Sequence, residues 1–117
     1  MFSHIRTSKE NKEVVTELTR KLNLGAENVV ARLAIAHSLQ EGKKLDLKNL
    51  SDSSGKEYSR KVLLGEYENI YLGMICNLYG IYKNDKDLGR LVKLHLDEGL
   101  KIIESMNQNN SINLTFS

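Results

Sequence analysis

No proline occurs anywhere in the 117 residues. Every position therefore keeps its backbone donor and a free φ, and no segment is barred from continuing as a helix. Tryptophan is absent as well, while Leu, Lys and Glu, which lose little side-chain freedom in a helix, recur throughout. A chain of this length falls within the roughly 100 to 200 residues of one domain. With 40% apolar and 27% charged residues it has enough apolar surface to fold. The expected architecture is all-α: a compact single-domain helical bundle over residues 1–106 that assembles into a homo-oligomer. A short N-terminal strand is possible, and residues 107–117 read as a loose polar tail.

Periodicity places the elements. Thr7 or Ser8 makes an N-cap, and a first helix starts near Ser8. Within it Val14, Val15, Leu18 and Leu22 share one face, and Lys9, Lys12, Thr16 and Arg20 the other. Lys9 with Glu13 and Glu17 with Lys21 form i,i+4 pairs that partly neutralise the outer face. Asn23-Leu24-Gly25 ends the helix, with Gly25 expected in the left-handed conformation. A second helix over Ala26 to Gln40 carries Val29, Val30, Leu33, Ala34, Ala36 and Leu39 as its apolar stripe, closed by Gly42.

Lys43 to Glu57 is polar and turn-rich, a loop with at most a helical turn near Leu45 to Leu50. Tyr58 to Leu64 fits a short strand or a helix start equally well. From Glu66 to Tyr79 a helix would be apolar almost all round, and Tyr67, Tyr71, Met74 and Leu78 form a stripe expected to meet a second subunit. A last helix, capped by acidic residues, runs from about Asp87 to Met106.

Little of this carries catalysis. Ser53-Ser54-Gly55-Lys56 lacks the earlier glycine and the following Ser or Thr of a phosphate-binding loop, since Leu50 and Glu57 stand there. His4, His37 and His95 lack metal-ligand spacing and read as surface or packed histidines. Cys76 is the single cysteine and sits in an apolar run, which disfavours a thiolate. It excludes an intrachain disulfide and a cysteine-type zinc site, and fits a reducing cytoplasm. The carboxylate pairs Asp85 and Asp87, and Asp97 and Glu98, look like solvating charge. No cofactor, metal or catalytic residue is expected. Neither is export or membrane insertion, because no signal-type h-region or apolar stretch of about 18 residues is present.

Charge is uneven. Residues 1–61 hold 12 Lys/Arg against 8 Asp/Glu, and residues 62–117 hold 5 against 7. Arg6, Lys9, Lys12, Arg20 and Lys21 near the first helix, with Lys43, Lys44 and Lys48 after the second, make a basic surface suited to phosphates rather than base edges.

The run Ile5-Arg6-Thr7-Ser8-Lys9-Glu10-Asn11-Lys12, then Leu18-Thr19-Arg20-Lys21-Leu22-Asn23-Leu24 and Glu27-Asn28-Val29-Val30-Ala31-Arg32-Leu33-Ala34-Ile35-Ala36, resembles the DndE family of DNA phosphorothioation proteins. Asp52-Ser53-Ser54-Gly55-Lys56-Glu57-Tyr58 and Tyr82-Lys83-Asn84-Asp85 also look like that family. The resemblance implies an accessory, non-catalytic subunit working with reductase-like and ATPase-like subunits that place sulfur in the DNA backbone. It further implies a compact helical homotetramer that binds double-stranded DNA, nicked duplex preferred, through surface lysines. The competing readings are a scaffold bridging those subunits through the tyrosine-rich surface, and a ribbon-helix-helix regulator with Phe2 to Thr7 as its ribbon. A metal-dependent nuclease or phosphatase using Asp85, Asp87 or Glu104 is a further, more distant one.

Overall fold

A computed structural model describes residues 1–109. The chain runs β1 (His4–Arg6), α1 (Lys9–Leu22), α2 (Glu27–Gln40), a 3-10 turn (Leu47–Asn49), β2 (Glu57–Ser59), α3 (Arg60–Leu64), a second 3-10 turn (Gly65–Tyr67), α4 (Glu68–Tyr79) and α5 (Leu88–Gln108). The mostly helical class is as expected. Helix α5 extends two residues beyond the expected boundary and Asn109 caps it, while residues 110–117 of the proposed tail lie outside the described residues.

Local chemistry accounts for the ends of α1. Ser8 is extended and its Oγ accepts from the Asn11 N–H at 3.1 Å, a cap worth about 1 kcal/mol. The stop is Asn23, at φ 52° and ψ 44°, rather than Gly25. Gly25 is also at positive φ, two residues later in the connection. Asparagine tolerates this region better than most side chains do.

Helices α2 and α5 form the centre of the bundle. A Cβ on Gly99 would run into the backbone of Ala34, so glycine and alanine together let the two helices close. This approach turns the core face of α2 toward Val30, Ala31, Ala34, Ile35 and Ser38, leaving Val29, Leu33 and Ala36 half-buried. The stripe keeps Val30, Ala34 and Leu39 as expected and is rotated to take in Ala31, Ile35 and Ser38, because the close approach of Ala34 to Gly99 fixes which side of α2 meets α5. From α5 come Leu88, Leu91, Val92, Leu96, Leu100 and Ile103, and from α1 Val14, Val15 and Leu18. Asp87 precedes α5 without a side-chain cap bond, so the expected acidic capping is not made.

Tyr58 to Leu64 turns out to be strand and helix in succession. Strand β2 pairs antiparallel with β1 in the register His4↔Ser59, Ile5↔Tyr58, Arg6↔Glu57. Ser59 then caps α3, its Oγ accepting from the Val62 N–H at 3.2 Å. The possible N-terminal strand exists, but its partner belongs to the same chain, which leaves the ribbon-helix-helix reading without the intermolecular ribbon it needs. Among the described residues no helix is long and apolar enough to cross a membrane.

Candidate nucleic-acid interface

The most constrained surface is a ledge formed by the first turn of α1 and residues 52–56. Its foundation is a buried polar hub on α5. Lys93 and Asp97 stand one helical turn apart with Nζ 2.8 Å from Oδ2, both nearly excluded from solvent. The Lys93 ammonium also donates to the Arg6 carbonyl at 2.9 Å and the Asp52 carbonyl at 2.8 Å. Asp97 accepts from the Ser8 N–H at 3.1 Å, Asn11 Nδ2 at 2.8 Å and Ser51 Oγ at 3.0 Å. One ion pair thus holds β1, the start of α1 and the 51–52 loop together. Its burial is tolerable because the remaining donors and acceptors are filled by hydrogen bonds.

Above the hub the loop is fastened to α1 by its own backbone. Asp52 Oδ2 accepts from the Lys9 N–H at 2.8 Å and the Ser54 N–H at 3.1 Å. Those two N–H groups hold the exposed Asp52 carboxyl below its ordinary range. Thr7 N–H donates to the Lys56 carbonyl at 2.9 Å, the Gly55 N–H to the Thr7 carbonyl at 3.0 Å, and the Lys56 N–H to Thr7 Oγ1 at 2.9 Å. Gly55 is required here, since a Cβ would collide with Ser8 O and Thr7 Oγ1. The segment that superficially resembled a phosphate loop is a strap across the start of α1.

The eight candidate basic residues do not form one uniform patch. Lys9 and Lys12 are exposed on the ledge and have no carboxylate partner among the described residues. Lys56 joins them, 3.4 Å from Glu27 Oε1. Arg6, on β1, is paired with Glu57 at 3.0 Å. Arg20 and Lys21 share Glu17 at 3.0 and 3.4 Å. That side of α1 is otherwise acidic: Glu10, Glu13 and Glu17 face a groove with Glu104 of α5. The outer face of α1 therefore divides into a basic edge and a carboxylate edge, and the two residues on the acidic side are largely neutralised. Lys43, Lys44 and Lys48 are exposed in the α2–β2 connection, with Lys44 beside Tyr79 and Leu91.

A second buried cluster anchors that connection. Tyr79 OH lies 2.8 Å from His95 Nε2 and accepts from the Leu45 N–H at 2.7 Å, while His95 Nδ1 lies 2.8 Å from Ser38 Oγ. With the imidazole neutral, Nδ1–H donating to Ser38 and Nε2 accepting from Tyr79 satisfies both ring nitrogens. Burial holds the His95 pKa down at about 4. His95 is thus the packed histidine expected. Tyr58 and Tyr71 are shifted upward, chiefly by burial.

Asp97 corrects one expectation outright, being buried rather than solvating charge. Sequence reasoning also passed over Lys93, Asn11 and Ser51. The available signal was two charges four residues apart inside the apolar run Leu91 to Leu100, a spacing that lets them neutralise each other. On the expected subunit face, Tyr67 and Met74 are exposed together with Ile70 and Val62, whereas Tyr71 and Leu78 turn partly into the bundle. Among the described residues no cluster of His, Cys, Asp and Glu could hold a metal ion.

Comparison with known proteins decides the family. The model of the DNA sulphur modification protein DndE matches residues 4–111. This chain belongs to the DndE family. None of the curated proteins matches it. Two solved structures share the fold. The crystal structure of DndE from Escherichia coli B7A, described as involved in DNA phosphorothioation modification, is 17% identical with a TM-score of 0.71, covering 88% of this chain and 98% of the other. A DndE G21/24K mutant, involved in DNA phosphorothioation, is 18% identical with a TM-score of 0.73 over the same shares. The DndE match spans the ledge, both strands and every helix of the bundle. As a DndE-family protein, the chain is assigned to DNA phosphorothioation.

Proposed function

We propose that this chain is the accessory DNA-binding subunit of a DNA phosphorothioation machinery, gripping double-stranded DNA with a preference for nicked duplex and performing no catalysis itself. The observation that carries the reading is the pair Lys9 and Lys12, exposed on a rigid ledge and free of carboxylate partners among the described residues. Ammonium groups held this way neutralise phosphates without reading bases. A nick lets the duplex bend cheaply, so basic ledges repeated by symmetry could engage both flanks of the bend.

Repetition is supplied in this reading by a homotetramer formed through the exposed apolar residues Tyr67, Ile70, Met74 and Val62. They are 47%, 61%, 41% and 53% exposed, an unusual grouping for a surface that meets only water. The reductase-like and ATPase-like subunits of the machinery are the proposed protein partners, and the cytoplasm the proposed compartment.

The test is a salt titration of intact and nicked duplexes of one sequence. Lys9→Ala/Lys12→Ala is expected to weaken both complexes and reduce the log–log salt slope by about 0.9 per lost phosphate contact. Arg20→Ala/Lys21→Ala is expected to change less, because Glu17 is shared by both cations and Glu10, Glu13 and Glu104 line the same edge. Wild-type protein that binds neither duplex at moderate salt, or an unchanged slope in the Lys9/Lys12 variant, overturns the reading.

A further inference from the structure

A cavity of about 620 Å³ opens between β1, the turn before α5 and the first turns of α5. Its size lies within the roughly 300 to 1,000 Å³ usual for small-molecule sites. The rim carries Arg6, Lys86 and Arg90 beside Glu57, Asp85 and the Asp87 carboxylate that meets Arg90, so its charges balance and its capacity for an anion lies in the donors these cations keep free. Arg6 and Arg90 each lean on a carboxylate, Glu57 at 3.0 Å and Asp87 at 3.5 Å, yet their side chains remain 52% and 66% exposed. Each guanidinium keeps donors directed elsewhere. Lys86 is exposed and has no carboxylate partner among the described residues.

The floor is apolar, and Phe2 is its aromatic part. Phe2 is wedged against Gly89, where an added Cβ would sit 2.9 Å from its own Cβ, and the Arg60 guanidinium lies 5.7 Å from its ring centroid. Arg60 is itself fixed by Glu68 at 3.0 Å and by the Phe2 carbonyl at 2.7 Å. A clamped aromatic floor beneath a rim of guanidinium and ammonium groups suits a ligand with a flat apolar body and a compact anionic head.

We infer that this cavity binds a nucleotide phosphomonoester, the terminal phosphate held by Arg90, Lys86 and Arg6 and the base lying over the Phe2 side. A terminal phosphate carries nearly two charges at neutral pH, against one for a phosphodiester, so paired cations favour it over the uninterrupted backbone. Two sources offer that chemistry: a strand end exposed at a nick, and a free mononucleotide. The strand-end source rests on the duplex-binding reading above, and the free-nucleotide source does not.

The experiment compares the full chain with Lys86→Ala/Arg90→Ala, two exposed positions whose loss leaves the core intact. Duplexes labelled at a distant end carry a nick with a 5′-phosphate or a 5′-hydroxyl, and a deoxynucleoside 5′-monophosphate is titrated separately and as competitor. For a strand-end site, wild type binds the phosphorylated nick about tenfold more tightly, and the variant loses that difference while keeping its affinity for intact duplex. For a free-nucleotide site, wild type binds the monophosphate and the variant does not, whatever the duplexes do. Equal binding of both nicks together with no monophosphate binding overturns the inference, even when the Lys9/Lys12 dependence of duplex binding is confirmed. Absence of all duplex binding, with monophosphate still captured, refutes the function proposed above and leaves this site standing.

Discussion

Replacing Asp97 with alanine removes the carboxylate at the centre of the hub. Three donors lose their partner there, the Ser8 N–H, Ser51 Oγ and one bond of Asn11 Nδ2, although Asn11 keeps the Asp97 carbonyl at 3.2 Å. Lys93 is left as a buried ammonium facing only the carbonyls of Arg6 and Asp52. Breaking a buried pair from one side costs about 3 to 5 kcal/mol, a large part of the roughly 5 to 15 kcal/mol that holds a domain together. For a chain of this size the melting temperature should fall by about 10 to 20 °C. Urea unfolding followed by circular dichroism gives the free energy directly. The double variant Lys93→Met/Asp97→Leu sharpens the test. Apolar replacement of a buried pair is often neutral, but here it would still strand the Ser8 and Ser51 donors, so about 2 kcal/mol of the deficit should remain. A loss below about 1 kcal/mol for Asp97→Ala, or full recovery in the double variant, refutes the account of the hub.

Acid should destabilise the fold through His95. Its pKa is near 4 in the folded chain against about 6.5 unfolded, so the unfolded state takes up the proton first. The stabilisation is complete above pH 6.5 and is lost as pH falls toward 4, by about 3 kcal/mol in all. Urea midpoints at pH 7 and 4.5 should show that slope in wild type and a shallower one in His95→Gln; parallel slopes would contradict it. Gly99→Ala should cost about 3 kcal/mol or more, because the new methyl meets the Ala34 backbone rather than a flexible side chain. Thermal melts of that variant within 3 °C of wild type would mean that α2 and α5 can part freely.

The helices were legible because their signals are local. Ser8 with its cap bond, the apolar spacing of Val14, Val15 and Leu18, and the absence of proline act within one or two turns, and the chain obeys them. The split of basic charge on α1 was only half legible. Pairing of Lys21 with Glu17 followed from spacing, but the acidic edge takes shape only when α5 brings Glu104 beside Glu10, Glu13 and Glu17.

Sequence by itself determined that this chain is helical, places Lys9 and Lys12 outward on α1, and resembles one family, which the family match bears out. Tertiary structure alone decided that β1 pairs with β2 some fifty residues away, and that α2 sets Ala34 directly against Gly99 of α5, burying Ala31 and Ile35 and leaving Val29 and Leu33 half-buried. It also decided that Lys93 and Asp97, whose i,i+4 spacing permits mutual neutralisation but does not by itself bury them, become the joint between the bundle and the ledge. Burying them is favourable only once partners from β1, α1 and the 51–52 loop arrive together. That condition belongs to the assembled fold and to no segment of the chain.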